Sequence, residues 1–568
     1  VIYSVSSFLW LGPVLAAFTL IMSMVSGPNQ RKWKFCFYLA LFGLLGYSVH
    51  LYIPIRSALN PIIDENDPQR WASFIEFLER KQYGSDNMIT RMFHRRGALL
   101  TQFGFDEHMG FLGFYLTQFF HFGLSPAVDQ AKSPMENWGQ LGGIVRVLIY
   151  LIPTTLMIFG WGYLHKKNKN VAILFITMVV LGTIGLVFYM NFADGTRPEL
   201  RDLRMWEKYG RQGPMPVVHR EVRVRDYFFT PGFMFLGMWL GLASSCLLHL
   251  FFTSKDRMLR TLIAPVSAVL IVLTPAIPVW QNFAFSTRRG DWVPYDYAYN
   301  LLMSCDKDGI LFTNGDNDTF PLWFLQEAVG IRKDVRVVNL SLLNTNWYIK
   351  QLKDLEPKVP ITFSDEQIDA LNHQHNPFEK TIPYQLSNAR ITVMVPGRDR
   401  QEALRVQDKL VLHIVDANKW RKPIYFAVTV SDDNRMGLDP YLRMGGLAYR
   451  INSRPMGQDE SFDLERTVHL LDRVYRFRGL GDGKAPMNET TKMLMSNYAA
   501  CYIQVALALR QPIMVLKDEI ANLEVQSADS SAKGRDSLVA KLADRRSQFQ
   551  SKVDMAIGKM DQCVALMP

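Results

Sequence analysis

Six apolar stretches constrain this chain more than any other feature, because each is near the roughly 20 residues that cross a bilayer as a helix. They run at about Val5–Val25, Phe35–Ile53, Ile144–Leu164, Val171–Asn191, Tyr227–Phe252 and Thr261–Trp280. Hydrocarbon satisfies no backbone N–H or C=O, so such segments fold as helices with their hydrogen bonds internal. The connections between them alternate in character. "GPNQRKWK" (27–34), "HKKNKN" (165–170) and "TSKDRMLR" (253–260) are short and hold nine Lys or Arg against one acid, Asp256. The loops at about 54–143 and 192–226 are long and carry both signs. Basic residues are retained in short cytoplasmic loops. This predicts that the three basic loops face the cytoplasm. Both long loops, the N-terminal end and everything after about Gln281 then lie outside. Arg146, near the end of the third stretch, is expected to snorkel to the headgroups.

The whole chain has 568 residues, 48% of them hydrophobic, and a mean hydropathy near zero. That balance fits a membrane region (1–284) joined to a polar one. Residue 1 is Val, and no basic n-region with a small-residue cleavage site follows, so no signal peptide is expected. An outside start for the first span fits an odd number of missing upstream spans. The net charge of +10 invites a nucleic-acid reading. No basic block interleaved with aromatics supports it, and topology accounts for much of the surplus. The five cysteines, Cys36, Cys246, Cys305, Cys501 and Cys563, match no zinc or redox spacing. Cys501 and Cys563 either form a bridge in an oxidising compartment or remain two buried thiols.

Within the first long loop, "WASFIEFLERKQYG" (71–84) carries a helical stripe at Trp71, Phe74, Ile75 and Leu78. "GFLGFYLTQFFHFG" (110–123) is apolar but too short to span, and Asp106, Glu107 and His108 before it are costly in hydrocarbon. It reads either as a helix in the membrane interface or as one packed into the outer domain. The segment 285–462 reads as α/β. Gly309–Thr313 is a buried strand ending at Asn314-Gly315. Asp318 or Thr319 caps a helix through "FPLWFLQEAVG", and "DVRVVNLSLL" (334–343) is the next strand. This βαβ unit predicts a parallel pair. "KLVLHIVDAN" (409–418) and "PIYFAVTVS" (423–431) read as further strands. From 463 to 568 the pattern is helical, with one amphipathic helix at 489–511, a polar loop at 525–537 and more helix beyond. The ending suggests tetratricopeptide-like hairpins.

The strings "YIPIRSALNPIIDENDP" (52–68), "REVRVRDYFF" (220–229), "LFTNGDNDTFPLWFLQEAVGIRKDVRVVNLSLLNTNWY" (311–348), "KWRKPIYFAVTVS" (419–431) and "GLDPYLRMGGLAYRI" (437–451) resemble a bacterial family. It is catalogued as domain of unknown function 2723 and is similar to protein O-mannosyltransferases of the C-type glycosyltransferase (GT-C) superfamily. The resemblance runs from about residue 5 to the end. It implies a multi-span enzyme that takes a mannose-like sugar from a polyprenyl-phosphate carrier to a protein or glycan outside the membrane. It also implies that the main catalytic acid lies in an earlier outer loop, upstream of Val1.

Such chemistry needs a carboxylate for the acceptor proton, cations for the leaving phosphate and an apolar groove for the lipid. "HREVRVRDYFF" sets His219, Arg220, Arg223, Arg225 and Asp226 where the outer loop re-enters the membrane. If this stretch is extended, Glu221, Arg223 and Arg225 share one side. The arginines either grip a lipid phosphate or pair internally with Glu221 and Asp226. Arg56 lies at similar headgroup depth. Asp64, Glu65 and Asp67, between Pro61 and Pro68, are either a second acid near the active site or a helix start capped by Asp67 at "DPQRW". Asn314, Asp316, Asn317 and Asp318 lie at the carboxyl edge of the parallel pair, where open α/β sheets bind ligands. They either contact sugar or acceptor, bind a divalent cation through Asp316 and Asp318, or only turn and cap the chain. His108, His121 and His413 lie in apolar settings and form no zinc pattern. A different class of reading, a non-catalytic membrane scaffold whose outer domain binds proteins, stands beside the enzyme.

Overall fold

The computed structural model describes residues 5–25, 27–79, 92–119, 139–198, 200–208, 210–211, 215–216, 218–221, 223–401, 403–480, 485, 487–529 and 532–566. Its long apolar helices near the N-terminus are α1 (Val5–Met24) and α2 (Gln30–Tyr47). Later come α3 (Gly139–Lys167), α4 (Lys169–Val180), α5 (Thr230–Thr253) and α6 (Arg257–Ser286). Two compact units emerge: Gly84–Arg288, and Val5–Tyr83 together with Arg289–Pro568.

Among the described residues, five helical stretches are long and apolar enough to cross a membrane: Gln30–Ser57, Lys169–Met190, Asp226–Thr253, Arg260–Trp280 and Thr490–Ala528. They mark the chain as a multi-pass membrane protein. Four coincide with expected spans. The first expected span is helical, but its apolar part, Trp10–Met24, is shorter than the other four. The third lies within α3.

In the first unit, glycines let the helix backbones approach closely. A Cβ on Gly160 of α3 would sit 2.1 Å from the Trp239 carbonyl oxygen of α5. One on Gly232 of α5 would sit 2.5 Å from the Gly182 carbonyl oxygen. The short helix Phe111–Thr117 buries Phe114 with Val187, Phe192 and Phe229, while Leu112 faces out. Residues 120–123 of that segment, with His121, lie outside the described residues, as do residues 80–84 of the other loop helix, which ends at Leu78.

The second unit is organised by a five-stranded sheet. Nine strands are described: β1 (Ile310–Thr313), β2 (Arg336–Asn339), β3 (Gln374–His375), β4 (Ile382–Leu386), β5 (Ile391–Val395), β6 (Ala403–Leu404), β7 (Ile424–Ala427), β8 (Leu442–Gly445) and β9 (Ala448–Ile451). The main sheet has the order β2-β1-β7-β9-β8, with β2, β1 and β7 parallel and β9 and β8 antiparallel. β4–β5 and β3–β6 form separate two-stranded pairs. Every residue of β1 and β7 is buried, as expected of central strands covered on both faces.

Around the sheet pack α7 (Val293–Met303), α8 (Asp316–Trp323), α9 (Asn346–Asp354) and α10 (Val406–Asn418). α10 corrects the expectation of a strand at 409–418. Its buried Val406, Leu410, Val411, Ile414 and Val415 recur at helical spacing. At its start Asp408 accepts from the Arg405 N–H at 2.8 Å. α8 begins at Asp316, so neither Asp318 nor Thr319 is its cap; Asp318 sits within the first turn.

The C-terminal region is a hairpin of α11 (Glu489–Asp529, 41 residues) and α12 (Ala532–Leu566, 35 residues). The polar stretch expected as a loop is helical at 525–529 and 532–537. Each helix alone is as long as the roughly 34 residues of a whole tetratricopeptide repeat, so the hairpin is not of that kind. α11 is apolar enough to span a membrane, yet it packs on the domain core through Tyr498, Cys501, Tyr502, Val505 and Leu509. All five cysteines are free thiols, and Cys501 and Cys563 are both buried.

Candidate functional site

In the first unit, two polar segments meet where α5 begins. The Arg225 N–H donates to the His108 carbonyl at 2.9 Å, and the Glu221 N–H to the Ala193 carbonyl at 2.9 Å. The first contact brings residues 106–109 beside Arg225, and the second ties Glu221 to residue 193. Arg220 pairs with Asp106 at 3.5 Å. Asp106 is held in place by the N–H groups of His108 and Met109, at 3.0 and 3.3 Å. Arg225 donates twice to Glu221, at 2.9 and 2.7 Å, and once to the Tyr227 hydroxyl at 2.9 Å. A phosphate would have to compete with Glu221 for Arg225. Arg220, Arg223 and His219 are exposed, and Asp226 is half-buried at the head of α5.

An apolar groove of about 470 Å³ runs between Phe111–Thr117, α3, α5 and α6, lined by Phe119, Met157, Leu240, Ile271 and Val279 among others. Tyr115 is a polar group on its wall, its hydroxyl 2.6 Å from the Thr154 Oγ1.

In the second unit, the carboxyl ends of β1, β2 and β7 converge. Asp318 accepts from the N–H groups of Asn314 and Gly315, at 2.8 and 2.9 Å, and from the Thr429 hydroxyl at 2.5 Å. Both of its oxygens are therefore committed to holding the turn. Asn314 Oδ1 accepts from Asn434 Nδ2 at 2.8 Å. Asn434 Oδ1 in turn accepts from Gln407 and Arg405, and Gln407 exchanges two hydrogen bonds with Asn344. Asp316 and Asn317 are exposed on the first turn of α8. Among the described residues, no group of three or more His, Cys, Asp or Glu could hold a metal ion.

Asn344 also lines a cleft of about 760 Å³ between residues 60–76 and the segment 344–369. Gln351 Nε2 donates to the Asp64 carbonyl at 2.9 Å and clamps the loop onto α9. Asp64 is buried and accepts from the Ser57 hydroxyl at 2.7 Å. Burial raises its carboxyl above the usual range; the Ser57 bond opposes this and the neighbouring Asp67 adds to it. Asp67 is not a helix cap. It sits in a turn with φ 44° and accepts from Gln69, and the helix it was expected to start begins at Trp71 after Arg70. Glu65 and Arg56 are exposed, Arg56 on the short helix Tyr52–Ser57.

Sequence reasoning placed Asp64 and Asp67 together but missed the far wall of the cleft: Asn344, Asn346, Trp347, Lys350, Asp354 and Asp369. The string "NTNWY" (344–348), two amides and two aromatics a few residues past β2, was the signal available. Of the apolar-set histidines, His413 stacks on Phe363 at 4.0 Å and takes the Thr362 N–H at 3.1 Å. Its burial lowers its pKa. His108 lies 3.6 Å from Glu107.

Residues 294–376 and 372–468 match the family model of TMEM260-associated domain 2. The match covers the α/β domain. A mouse (Mus musculus) protein named Protein O-mannosyl-transferase TMEM260 is 31% identical over 86 residues, which is 15% of this chain and 12% of the mouse protein. No solved structure matches. The matched domain contains the carboxyl-edge network and the far wall of the cleft.

Proposed function

We propose that the protein is a membrane glycosyltransferase that moves a mannose-like sugar from a polyprenyl-phosphate carrier to a protein or glycan hydroxyl on the outer side of the membrane. The observation that carries this reading is the similarity to a protein O-mannosyltransferase in a chain that also has membrane-spanning helices. In the reaction the acceptor oxygen bonds to the anomeric carbon, the bond from that carbon to the carrier phosphate breaks, and the acceptor proton passes to a carboxylate. The groove between α3, α5 and α6 suits the isoprenoid chain. Arg220, held by Asp106 at 3.5 Å, and the exposed Arg223 are the cations assigned to the leaving phosphate, while Arg225 is bonded twice to Glu221. Asp106, beside Arg220, is the acid of this unit best placed to take the proton. Asp64 and Asp67 line the cleft of the other unit, and neither they nor the neighbouring Glu65 are assigned to the chemistry.

The test is transfer of radiolabelled mannose from mannosyl-phosphoryl polyprenol in membranes containing the protein. Arg220→Gln with Arg223→Gln should raise the KM for the donor. Asp106→Asn should lower kcat by about 10²-fold or more. Wild-type transfer in both variants would remove these assignments, and no transfer by the unaltered protein from any polyprenyl-phosphate sugar would remove the reading. The scaffold alternative keeps one observation in its favour: the hairpin exposes Ile503, Leu507 and Met514 along one stretch of α11.

A further inference from the structure

α11 is apolar on two opposite faces. Its inward face packs Tyr498, Cys501, Tyr502, Val505 and Leu509 into the core of the α/β domain. An ordinary surface helix would then turn charged and polar residues outward. Instead Met493, Ala500, Leu507 and Met514 recur at every seventh position on the opposite face, with Ile503 among them, and all are exposed. Leu507 leaves 53% of its surface uncovered and Met514 48%. Beside this row a groove of about 430 Å³ reaches Met560 of α12, which is flanked on its own helix by the exposed Ile557 and Val564. A helix that is apolar all round belongs in a core or in lipid. The stretch Thr490–Ala528 has the length and composition of a membrane span. A crossing is excluded, because the inward face is held by the domain, where Asn300 donates to the Tyr498 hydroxyl.

A second observation concerns charge. From Thr490 to Lys517 the helix contains no Asp or Glu and three cations, Lys492, Arg510 and Lys517. At 3.6 residues per turn Arg510 lies about five turns on from Lys492, and Lys517 about two turns further, so the three line one edge of the apolar row. All three are exposed, and the ion pairs described in the hairpin use Arg545, Arg546 and Lys559 instead. An exposed apolar row with an unpaired cationic edge is complementary to a bilayer surface that carries anionic headgroups. A second copy docking by the same face would set these cations against their own kind. A bilayer is also at hand, since the compact unit that contains α11 contains the spanning stretch Gln30–Ser57.

We propose that α11 lies along the surface of a lipid bilayer, with Ile503, Leu507 and Met514 in the acyl boundary and Lys492, Arg510 and Lys517 against anionic headgroups. Long lysine and arginine stems let the charges stay at headgroup level while the apolar row sinks below them. The hairpin then gives the α/β domain a second hold on the membrane besides its spanning helix. Lipid contact of this kind is independent of sugar transfer and holds for a scaffold as well.

The full chain is placed in nanodiscs of phosphatidylcholine, with and without phosphatidylglycerol. Cys36→Ala removes the exposed native thiol, and the four buried ones are left. Leu507→Cys or Met514→Cys then carries an NBD dye, and Asp459→Cys, on an exposed loop, is the reference. Lipid bearing a nitroxide on its acyl chain should quench the dye at 507 and 514 at least about threefold more than at 459. With phosphatidylglycerol present, Arg510→Glu with Lys517→Glu should cut that quenching by about threefold, and in phosphatidylcholine alone the same change should matter less. Both charge changes are at exposed positions, so the melting temperature should hold. Quenching at 507 no greater than at 459 overturns the proposal in either form: blue-shifted emission without quenching means that protein covers the face, and water-exposed emission means that nothing does. Quenching that ignores the charge reversal overturns the headgroup contact, and the proposal with it.

Discussion

At the scale of single residues, neighbouring carboxylates of similar appearance do different work. Asp318 accepts three hydrogen bonds that fix the turn after β1, while Asp316, two residues earlier in the same first helical turn, is exposed. Asp318→Ala should cost about 2–3 kcal/mol, and Asp316→Ala less than about 1 kcal/mol, read by denaturant unfolding of the full chain. Asp306 gives a pH signature. It sits between Arg466 and Arg450, at 2.7 and 2.8 Å. Burial pushes its carboxyl up, but the hydrogen bonds from Tyr425 and Arg466 and the two positive charges outweigh this and hold it below the usual range. A depressed carboxylate lends stability above its unfolded pKa, about 3.9, and that stability is lost as pH falls through the folded value. Asp306→Asn should therefore lower the melting temperature at pH 7 and narrow the gap between neutral and acid melts. The group is partly exposed, so screening limits the effect to about 1 kcal/mol. An unchanged gap would show that the pair contributes nothing.

At the scale of elements, the local pattern misled once, at α10. "KLVLHIVDAN" is rich in β-branched residues and reads as a strand over eight positions. Leu410 with Ile414 and Val411 with Val415 already repeat at helical spacing, Val406 extends that face, and Asp408 anchors the first turn. α11, expected as an amphipathic helix at 489–511, is a helix packed on the domain core. Its composition fits a membrane span, but polar side chains of the domain reach it. Asn300 donates to the Tyr498 hydroxyl and the Arg476 carbonyl, both at 2.8 Å, and accepts from the Arg476 N–H at 2.8 Å. Asn497 donates to the Tyr297 hydroxyl at 2.9 Å. Asn300→Ala removes three of these bonds from a fully buried position. It should cost about 2–4 kcal/mol and speed amide exchange in α11 well before β1 and β7, by hydrogen-exchange mass spectrometry. Uniform protection across both elements would show that α11 does not depend on this contact.

At the scale of the whole molecule, the three basic loops make a prediction about sidedness. In sealed membranes, with native cysteines replaced, a membrane-impermeant maleimide should label Lys167→Cys and Asp459→Cys from opposite sides. Labelling of both from the same side would invert the expected placement of the α/β domain. Much of this architecture was legible in the chain. Four spans, the parallel β1–β2 pair, β7 and the helical C-terminal region all follow from apolar run length and local turn signals. The hairpin β8–β9 and the pair β4–β5 were not, because short strands close through partners that local pattern does not name.

Local pattern alone determined that this chain is multi-pass, that an α/β domain follows the membrane helices, and that acids gather at residues 64–67. Each rests on short-range physics: hydrocarbon thickness, strand and helix periods, and proline-bounded turns. Only the tertiary structure decided what those acids face. Asp64 meets Gln351 across 287 positions of sequence, and Asp106 meets Arg220 across 114. Such contacts depend on which surfaces pack together, and no property of either segment by itself encodes its partner.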